Sequence, residues 1–391
     1  MKLSFEEKEY LKGKHGKAAK KAMELLVALG NIYSAKRLIP VESVQIAGVS
    51  YQNLGDAGLS LLEELAQDAK VRVPLTTLNP AGIDLENWQN LGIDKNFVEK
   101  QERILEAFKK MGVIVTCTCT PYLIGNIPKY GSHIAWSESS AVCFANSVLG
   151  ARTNRESGFS SLASALTGKT PEYGFHLDKN RKPKYSVLVK AELSGVADFG
   201  AFGKALGEKI GNSIPYIKGI SHASLDELKS FCASIATFGG TALFHMENIT
   251  PENVKPPKKE VYITRKDIEK AKKSLSDSGS VDLIAIGCPH ASIVEIREIA
   301  KELKGKKVKK EFWITCARPV KKIADSMGYT EIIEKAGAKI ICDTCIAVAP
   351  LKNRFGYMLT NSAKACFYGR GSNNFKVRIA SLKECIEEAI K

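Results

Sequence analysis

The chain has 391 residues, 44% of them hydrophobic, which is enough apolar material for two or three packed domains. Its formal charge of +15, from 57 basic against 42 acidic residues, gathers in lysine-rich stretches at 12–21, 255–272 and 301–310. These lack the interleaved arginine and aromatic residues of a nucleic-acid surface, so solvated helix faces that attract anionic substrates or an acidic partner are the better reading.

No apolar run reaches the roughly 18 residues needed to cross a bilayer. The charged start MKLSFEEKEYLKGKHGK lacks the apolar core of a signal peptide, which points to a cytoplasmic protein with no membrane role. From there, short β-branched runs alternate with helical patterns: VESVQIAGV then LSLLEELAQDAK, VRVPLTTL then NFVEKQERILEAFKKM, GVIVTCT then SSAVCFANSVL. This alternation predicts βα units and parallel sheets. The middle continues with the strand YSVLVKAEL, a glycine-broken helix around DFGAFGKALGEKIG, the strand IPYIKGI and a helix over LDELKSFCASIA.

Two adjacent prolines and a lysine cluster in ITPENVKPPKKEVYITRKD predict a linker or exposed crossover before the helix IEKAKKSLSD. After it come VDLIAIG, EFWIT and GAKIICD, each followed by a helix or a turn, then YMLTNS and a helix starting near Ser362. The expected architecture is α/β, with several lobes of parallel or mixed sheet around a central cleft. Its boundaries are an N-terminal lobe over 1–175, a middle lobe over 176–260 and a C-terminal lobe over 261–391.

Ten cysteines in a long chain without an export signal read as reduced thiols. Cys119, Cys288, Cys316, Cys342 and Cys345 each follow a predicted strand, the edge at which open α/β sheets bind ligands. Cys288 also precedes the helix ASIVEIREIAKEL, whose positive end favours a thiolate. A free cysteine at such a place is equally often a buried packing residue. The close pairs, CTC at 117–119 and CDTC at 342–345, could be zinc half-sites or a redox dithiol. The gap of over 200 residues between them is too wide for a zinc ribbon, and CDTC lies far from the first strand where a thioredoxin-type motif belongs. Thiolates from distant segments suit a [4Fe-4S] cluster with one iron left open as a Lewis acid. A non-catalytic metal or electron-transfer protein is the alternative.

The strings GVSYQNLGDAG (48–58), TLNPAG (77–82), CTCTPY (117–122), WSESSAVCFANSVLGARTNRES (136–157), GCPHAS (287–292), CDTC (342–345) and TNSAKACFY (360–368) resemble the aconitase X family. The resemblance runs through most of the chain. It implies an aconitase-like α/β fold around a cluster-binding cleft and a hydro-lyase that dehydrates mevalonate 5-phosphate in an isoprenoid route, with hydroxyproline dehydration as the alternative within the family. It also implies Cys119, Cys288 and Cys345 as ligands of a [4Fe-4S] cluster, with Cys117 and Cys342 as alternates. Family members work with a small swivelling domain, fused or separate, that closes the site and is thought to supply the catalytic serine. A chain of this length has no room for it, so a separate small subunit and a heterodimer are expected.

For substrate contacts the resemblance points to Gly48, Val49, Ser50, Asn79, Pro80, Glu138, Ser139 and Lys364, with Glu138 and Ser139 as the catalytic pair. Each has a local rationale. A glycine-led turn after SVQIA exposes amides that can cradle an anion, and Lys364 at a helix start offers a point charge. Glu138 and Ser139 are equally an ordinary first-turn acid and cap residue. Arg152 and Arg155 could clamp a carboxylate or form a structural ion-pair hub. Among His133, His222, His245 and His290, only His290 neighbours an expected ligand, where it could orient the cluster from behind.

Overall fold

The computed structural model describes residues 1–391 as three α/β lobes, each with its own parallel sheet. The first lobe contains α1 (Phe5–Leu11), α2 (Lys17–Ile32), β1 (Leu38–Pro40), β2 (Val44–Ile46), α3 (Tyr51–Leu65), β3 (Thr76–Leu78), α4 (Lys95–Lys110), β4 (Ala135–Trp136), α5 (Ser139–Ser147), α6 (Gly158–Thr167) and β5 (Lys169–Pro171). Its sheet runs β3-β2-β4, and β1 and β5 pair separately as an antiparallel ribbon. Helix α4 shows how the sequence dictates such elements. Asp94 caps it by accepting from the Phe97 amide at 3.1 Å, and the stripe Val98, Gln101, Ile104, Leu105 and Phe108 turns one face into the core.

The run GVIVTCT forms no strand. It makes a single bridge, Thr77 to Ile114, and then leaves the sheet. The Thr116 hydroxyl contacts both the amide and the carbonyl of Leu78, at 3.1 and 2.9 Å, where a ladder would have placed backbone. Cys117 follows in a left-handed conformation, φ 43°. A β-rich composition is overridden here by side-chain hydrogen bonding and one backbone turn.

The second lobe consists of β6 (Tyr185–Lys190), α7 (Gly195–Ile210), β7 (Pro215–Lys218), α8 (Leu225–Phe238), β8 (His245–Met246), β9 (Glu260–Thr264) and α9 (Arg265–Ser274), with strand order β8-β7-β6-β9. Helix α5 leaves the first lobe to bury Val142, Cys143 and Phe144 in this second core. The proline-lysine segment is an exposed crossover between β8 and β9. Because β9 pairs with β6 over five residues, β9 and α9 belong with the middle sheet, and the break to the third lobe falls after Leu275 rather than at 260.

The third lobe contains β10 (Leu283–Ala291), α10 (Ile293–Leu303), β11 (Glu311–Cys316), α11 (Arg318–Ser326), α12 (Tyr329–Lys335), β12 (Lys339–Cys342), β13 (Tyr357–Thr360), α13 (Ala363–Asn373), β14 (Lys376–Ile379) and α14 (Leu382–Ile390). Its five strands, ordered β12-β11-β10-β13-β14, are all parallel and covered on both faces, which explains why β10 is buried along its whole length. One face packs against α10, α11, α12 and α14, and the other against α13 together with residues 83–98 of the first lobe. No helix is long and apolar enough to cross a membrane.

Helix α7 is continuous where its glycines predict a break. The glycines serve close packing against α8: a Cβ on Gly203 would stand 2.7 Å from Ser234 Cβ and 2.9 Å from the Ile235 amide nitrogen. Alanine is favoured over glycine by about 1 kcal/mol inside a free helix. Here the clash decides the sign. Gly203→Ala is expected to lower stability by about 1–3 kcal/mol in urea unfolding, with an unchanged denaturant slope.

Candidate active site

A cavity of about 250 Å³ opens where the first and third lobes meet. Cys119, Cys288 and Cys345 all line it, as do Gly48, Asn79, Pro80, Glu138, Ser139 and Lys364. These residues come from seven separate segments, the irregular end of β10 together with loops and helix starts, so the cavity is a product of the assembled fold.

Each cysteine loop is held by its neighbours. Ser362, which caps α13 by accepting from the Ala365 amide, donates its hydroxyl to the Cys288 carbonyl. The Val348 and Ala349 amides donate to the Cys345 carbonyl at 3.1 and 2.9 Å, and the His290 amide donates to Cys119 Sγ at 3.3 Å. Arg318 locks the loop that carries Asn79 to the loop that carries Cys345, bridging Asp84 at 3.0 Å and also Asp343. In the same junction the Ala81 amide donates to the Asp343 carbonyl at 2.7 Å, and the Cys342 amide to Asp84 Oδ2 at 2.8 Å.

Burial raises all three thiol pKa values, the Cys288 thiol to about 12, and their proximity adds to it: the charge of Cys345 raises both Cys119 and Cys288. Such thiols stay protonated unless a cation sits among them. No three His, Cys, Asp or Glu side chains converge closely enough to hold a single metal ion. Two buried oxygens at the site, Asn79 Oδ1 on the cavity wall and Thr344 Oγ1 beside Cys345, have no protein partner.

The other cysteines lie elsewhere. Cys117 is in the first-lobe core, and Cys316 and Cys342 sit in register on adjacent strands of the third lobe, facing its helices. The strand-end rule gathers five thiols, but only those on irregular or terminal backbone reach the cavity. Cys119 itself follows a loop and not a strand.

The buried pair Glu138 and Lys364 forms the floor. Glu138 caps α5, accepting from the Ala141 amide at 2.6 Å and the Ser140 hydroxyl at 2.5 Å, and its other oxygen pairs with Lys364 Nζ. Burial pushes its carboxyl up, but the Lys364 ammonium and these hydrogen bonds outweigh that and hold it below the ordinary carboxylate range. Lys364 is raised for the reciprocal reason, burial opposing its charge and Glu138 prevailing. Lys364 is therefore a neutralised cation. Ser139, first residue of α5, is only half-buried and its hydroxyl is uncommitted.

Val49 and Ser50 are turned away from the cavity. Val49 packs into the first-lobe core, and the Ser50 hydroxyl accepts from the Gln52 amide at 3.3 Å and reaches the Val348 carbonyl at 3.4 Å. Only Gly48, at φ +75°, opens its backbone to the cavity. Arg152 proves structural, bonded to the His176 carbonyl and to Asp178. Arg155 reaches the cavity mouth with no carboxylate within salt-bridge distance, its one side-chain hydrogen bond going to the Gly240 carbonyl at 3.4 Å. Ala47, Asn53, Ser137, Ala347, Val348 and Tyr368 complete the wall; the sequence by itself singles out none of them, although Asn53, Ser137 and Tyr368 lie within the strings that carry the family resemblance.

His222 is exposed, His245 Nε2 donates to the Arg181 carbonyl at 2.8 Å, and His133 pairs with His176 at 2.9 Å. His290 is fully buried behind the cavity, its pKa lowered to about 4 by burial, and both ring nitrogens are bonded, to Thr118 Oγ1 and to the Thr344 carbonyl at 2.9 Å each.

Comparison with known proteins bears on this geometry. The profiles Aconitase X first domain, second domain and third domain match residues 1–179, 183–273 and 281–391. The phosphomevalonate dehydratase large subunit of Methanocaldococcus jannaschii is 48% identical over 94% of this chain and 95% of its own, and that of Thermococcus kodakarensis 48% identical over all of both. The cis-3-hydroxy-L-proline dehydratase of Pseudomonas aeruginosa is 34% identical over 97% of this chain, which spans 68% of that longer protein. A crystal structure of Thermococcus kodakaraensis aconitase X in its holo form superposes with a TM-score of 0.94, covering 100% of both chains at 48% identity.

The floor pair makes a direct prediction. Glu138→Gln strands a buried ammonium and is expected to cost roughly 3–5 kcal/mol in urea unfolding, and adding Lys364→Met in the same chain is expected to return most of that loss.

Proposed function

This chain belongs to the aconitase X family, and from that premise we propose that it is the large subunit of a phosphomevalonate dehydratase. The reaction is loss of water from (R)-mevalonate 5-phosphate to give trans-anhydromevalonate 5-phosphate, in a mevalonate route to isoprenoids. The observation that carries it is the single cavity in which three thiols meet an ion pair and an uncommitted arginine. The 48% identity to two large subunits of this name, over 95% and 100% of their lengths, supports the substrate, against 34% to a hydroxyproline dehydratase.

Cys119, Cys288 and Cys345 are assigned as the ligands of a [4Fe-4S] cluster. The donor set fits: three thiols on one cavity, spaced too widely for one ion, with the His290 amide donating to one sulfur and the unpartnered Thr344 hydroxyl beside another. When bound, the cluster supplies an open iron as a Lewis acid toward the departing hydroxyl.

The chain's own residues do the rest. Glu138 holds Lys364 in place and, as a carboxylate committed three times over, keeps a fixed negative charge instead of shuttling a proton. Ser139 and Asn79 offer free polar atoms for orienting the substrate, and the Gly48 turn offers backbone. Arg155 presents a guanidinium fork at the mouth, suited to a phosphate or carboxylate. No uncommitted general base lines the cavity, so the proton acceptor is assigned to a small partner subunit that closes over it in a heterodimer. The name large subunit among relatives, and the extra length of the hydroxyproline enzymes, support that partner. Ten free thiols suit a reducing cytoplasm.

Two measurements test this. Anaerobic co-expression with the small subunit, followed by iron and sulfide analysis, should give brown protein with about four irons that dehydrates phosphomevalonate, whereas colourless protein holding stoichiometric zinc would sink the assignment. In that holoenzyme Arg155→Ala should raise KM for phosphomevalonate about 10- to 100-fold, the worth of one charged hydrogen-bonded contact, with a smaller change in kcat.

A further inference from the structure

We propose that His290 is a positioning residue that fixes the relative placement of Cys119, Cys288 and Cys345, an inference that rests on the cluster assignment above. Its ring joins the two other ligand loops. Thr344, immediately before Cys345, accepts through its carbonyl from Nε2, so Nε2 carries the proton and Nδ1 is the acceptor for the hydroxyl of Thr118, immediately before Cys119. His290 stands two residues after Cys288, so one side chain spans all three segments.

The backbone of the same residue adds two more ties. Its amide donates to Cys119 Sγ at 3.3 Å, and its carbonyl accepts from Lys229 Nζ at 3.0 Å. Lys229 is itself buried and bound to Asp226 at 2.9 Å and to Glu295, whose amide is capped by Ser292. Asp226 in turn accepts from Ser292 at 2.9 Å. The histidine is thus braced from α8 and α10 on one side and grips the cysteine loops on the other. Thr118 passes the contact on to Thr120 at 3.1 Å, stiffening the turn on which Cys119 sits.

A side chain bonded at both nitrogens, fully buried and off the cavity wall has no contact with substrate. Its effect must be read on the cluster. A phenylalanine of similar size would fill the space and release the Thr118 and Thr344 loops from the ring while keeping the backbone ties, whereas glutamine could restore one of the two ring contacts. Thr118→Val removes one contact from the opposite side.

The test compares wild-type holoenzyme with His290→Phe, His290→Gln and Thr118→Val, each reconstituted anaerobically with ferrous iron and sulfide. The readouts are the rate of iron loss to a chelator, the electron paramagnetic resonance spectrum and the cluster midpoint potential. His290→Phe should lose iron about 10- to 100-fold faster, with a displaced spectrum and potential, and the other two variants should fall between it and wild type. If His290→Phe does not fold, the same ordering is required of the remaining pair. Wild-type rates, spectra and potentials in every folded variant would overturn the inference. Wild-type protein that takes up no iron would instead reject the cluster assignment on which it rests.

Discussion

The cavity depends on one ion pair. Glu138 and Lys364 lie 226 residues apart, one capping α5 and the other in the first turn of α13, and both are buried. Removing two such charges from water costs several kcal/mol each, so neither is tolerable without the other. The two also differ in their fit to local structure. A carboxylate at a helix N-terminus is favoured by the helix dipole, whereas an ammonium in a first turn is opposed by it. Lys364 is therefore held in an unfavourable position by Glu138 alone among carboxylates, and a residue that breaks a local rule at a cavity marks a place where function outweighs stability.

Around this pair the lobes divide the work of assembly. The third sheet is covered on both faces and supplies rigid strand ends, from which Cys288 and Cys345 emerge. The first lobe's sheet is short, and its contribution comes from loops pinned by side chains: Thr116 on Leu78, Arg318 on Asp84, the Ala81 amide on Asp343. Precision in a loop requires such multiple anchoring, since backbone outside a ladder must find other partners for its polar groups.

Much of this was legible in sequence, and the failures have physical causes. Helices such as α4, with a capping aspartate and an apolar stripe, and α10, with its Ser292–Glu295 box, announce themselves because the signal is local. The Gly-rich α7 reads as broken because glycine lowers helix propensity, and only the proximity of α8 shows why the glycines are there. GVIVTCT reads as a strand because propensity is blind to Thr116 supplying the bonds a neighbour strand would make. The same blindness applies to the cysteines. Position after a β-rich run does not distinguish Cys342, which faces the helices of its own lobe, from Cys345, three residues on, which faces the cavity. One added turn of backbone separates them, at Asp343, φ 61°. The family resemblance named that trio from motifs, and the fold supplies what motifs lack, namely the partners of each loop.

Charge placement inside the cavity bears on what can enter it. Lys364 reads in sequence as a point charge for an anionic substrate, yet its charge is already matched by Glu138, and a substrate anion would have to compete with a buried carboxylate for it. Arg155 carries no such commitment and stands exposed at the mouth, where the phosphate of the proposed substrate would keep part of its hydration while gaining a planar fork. The desolvation cost is then confined to the end of the substrate that reacts. An arrangement with a neutral floor, a free cation at the rim and no base on the wall suits the proposed substrate, a small anionic hydroxy acid, and is the reason proton removal is assigned to the proposed partner subunit.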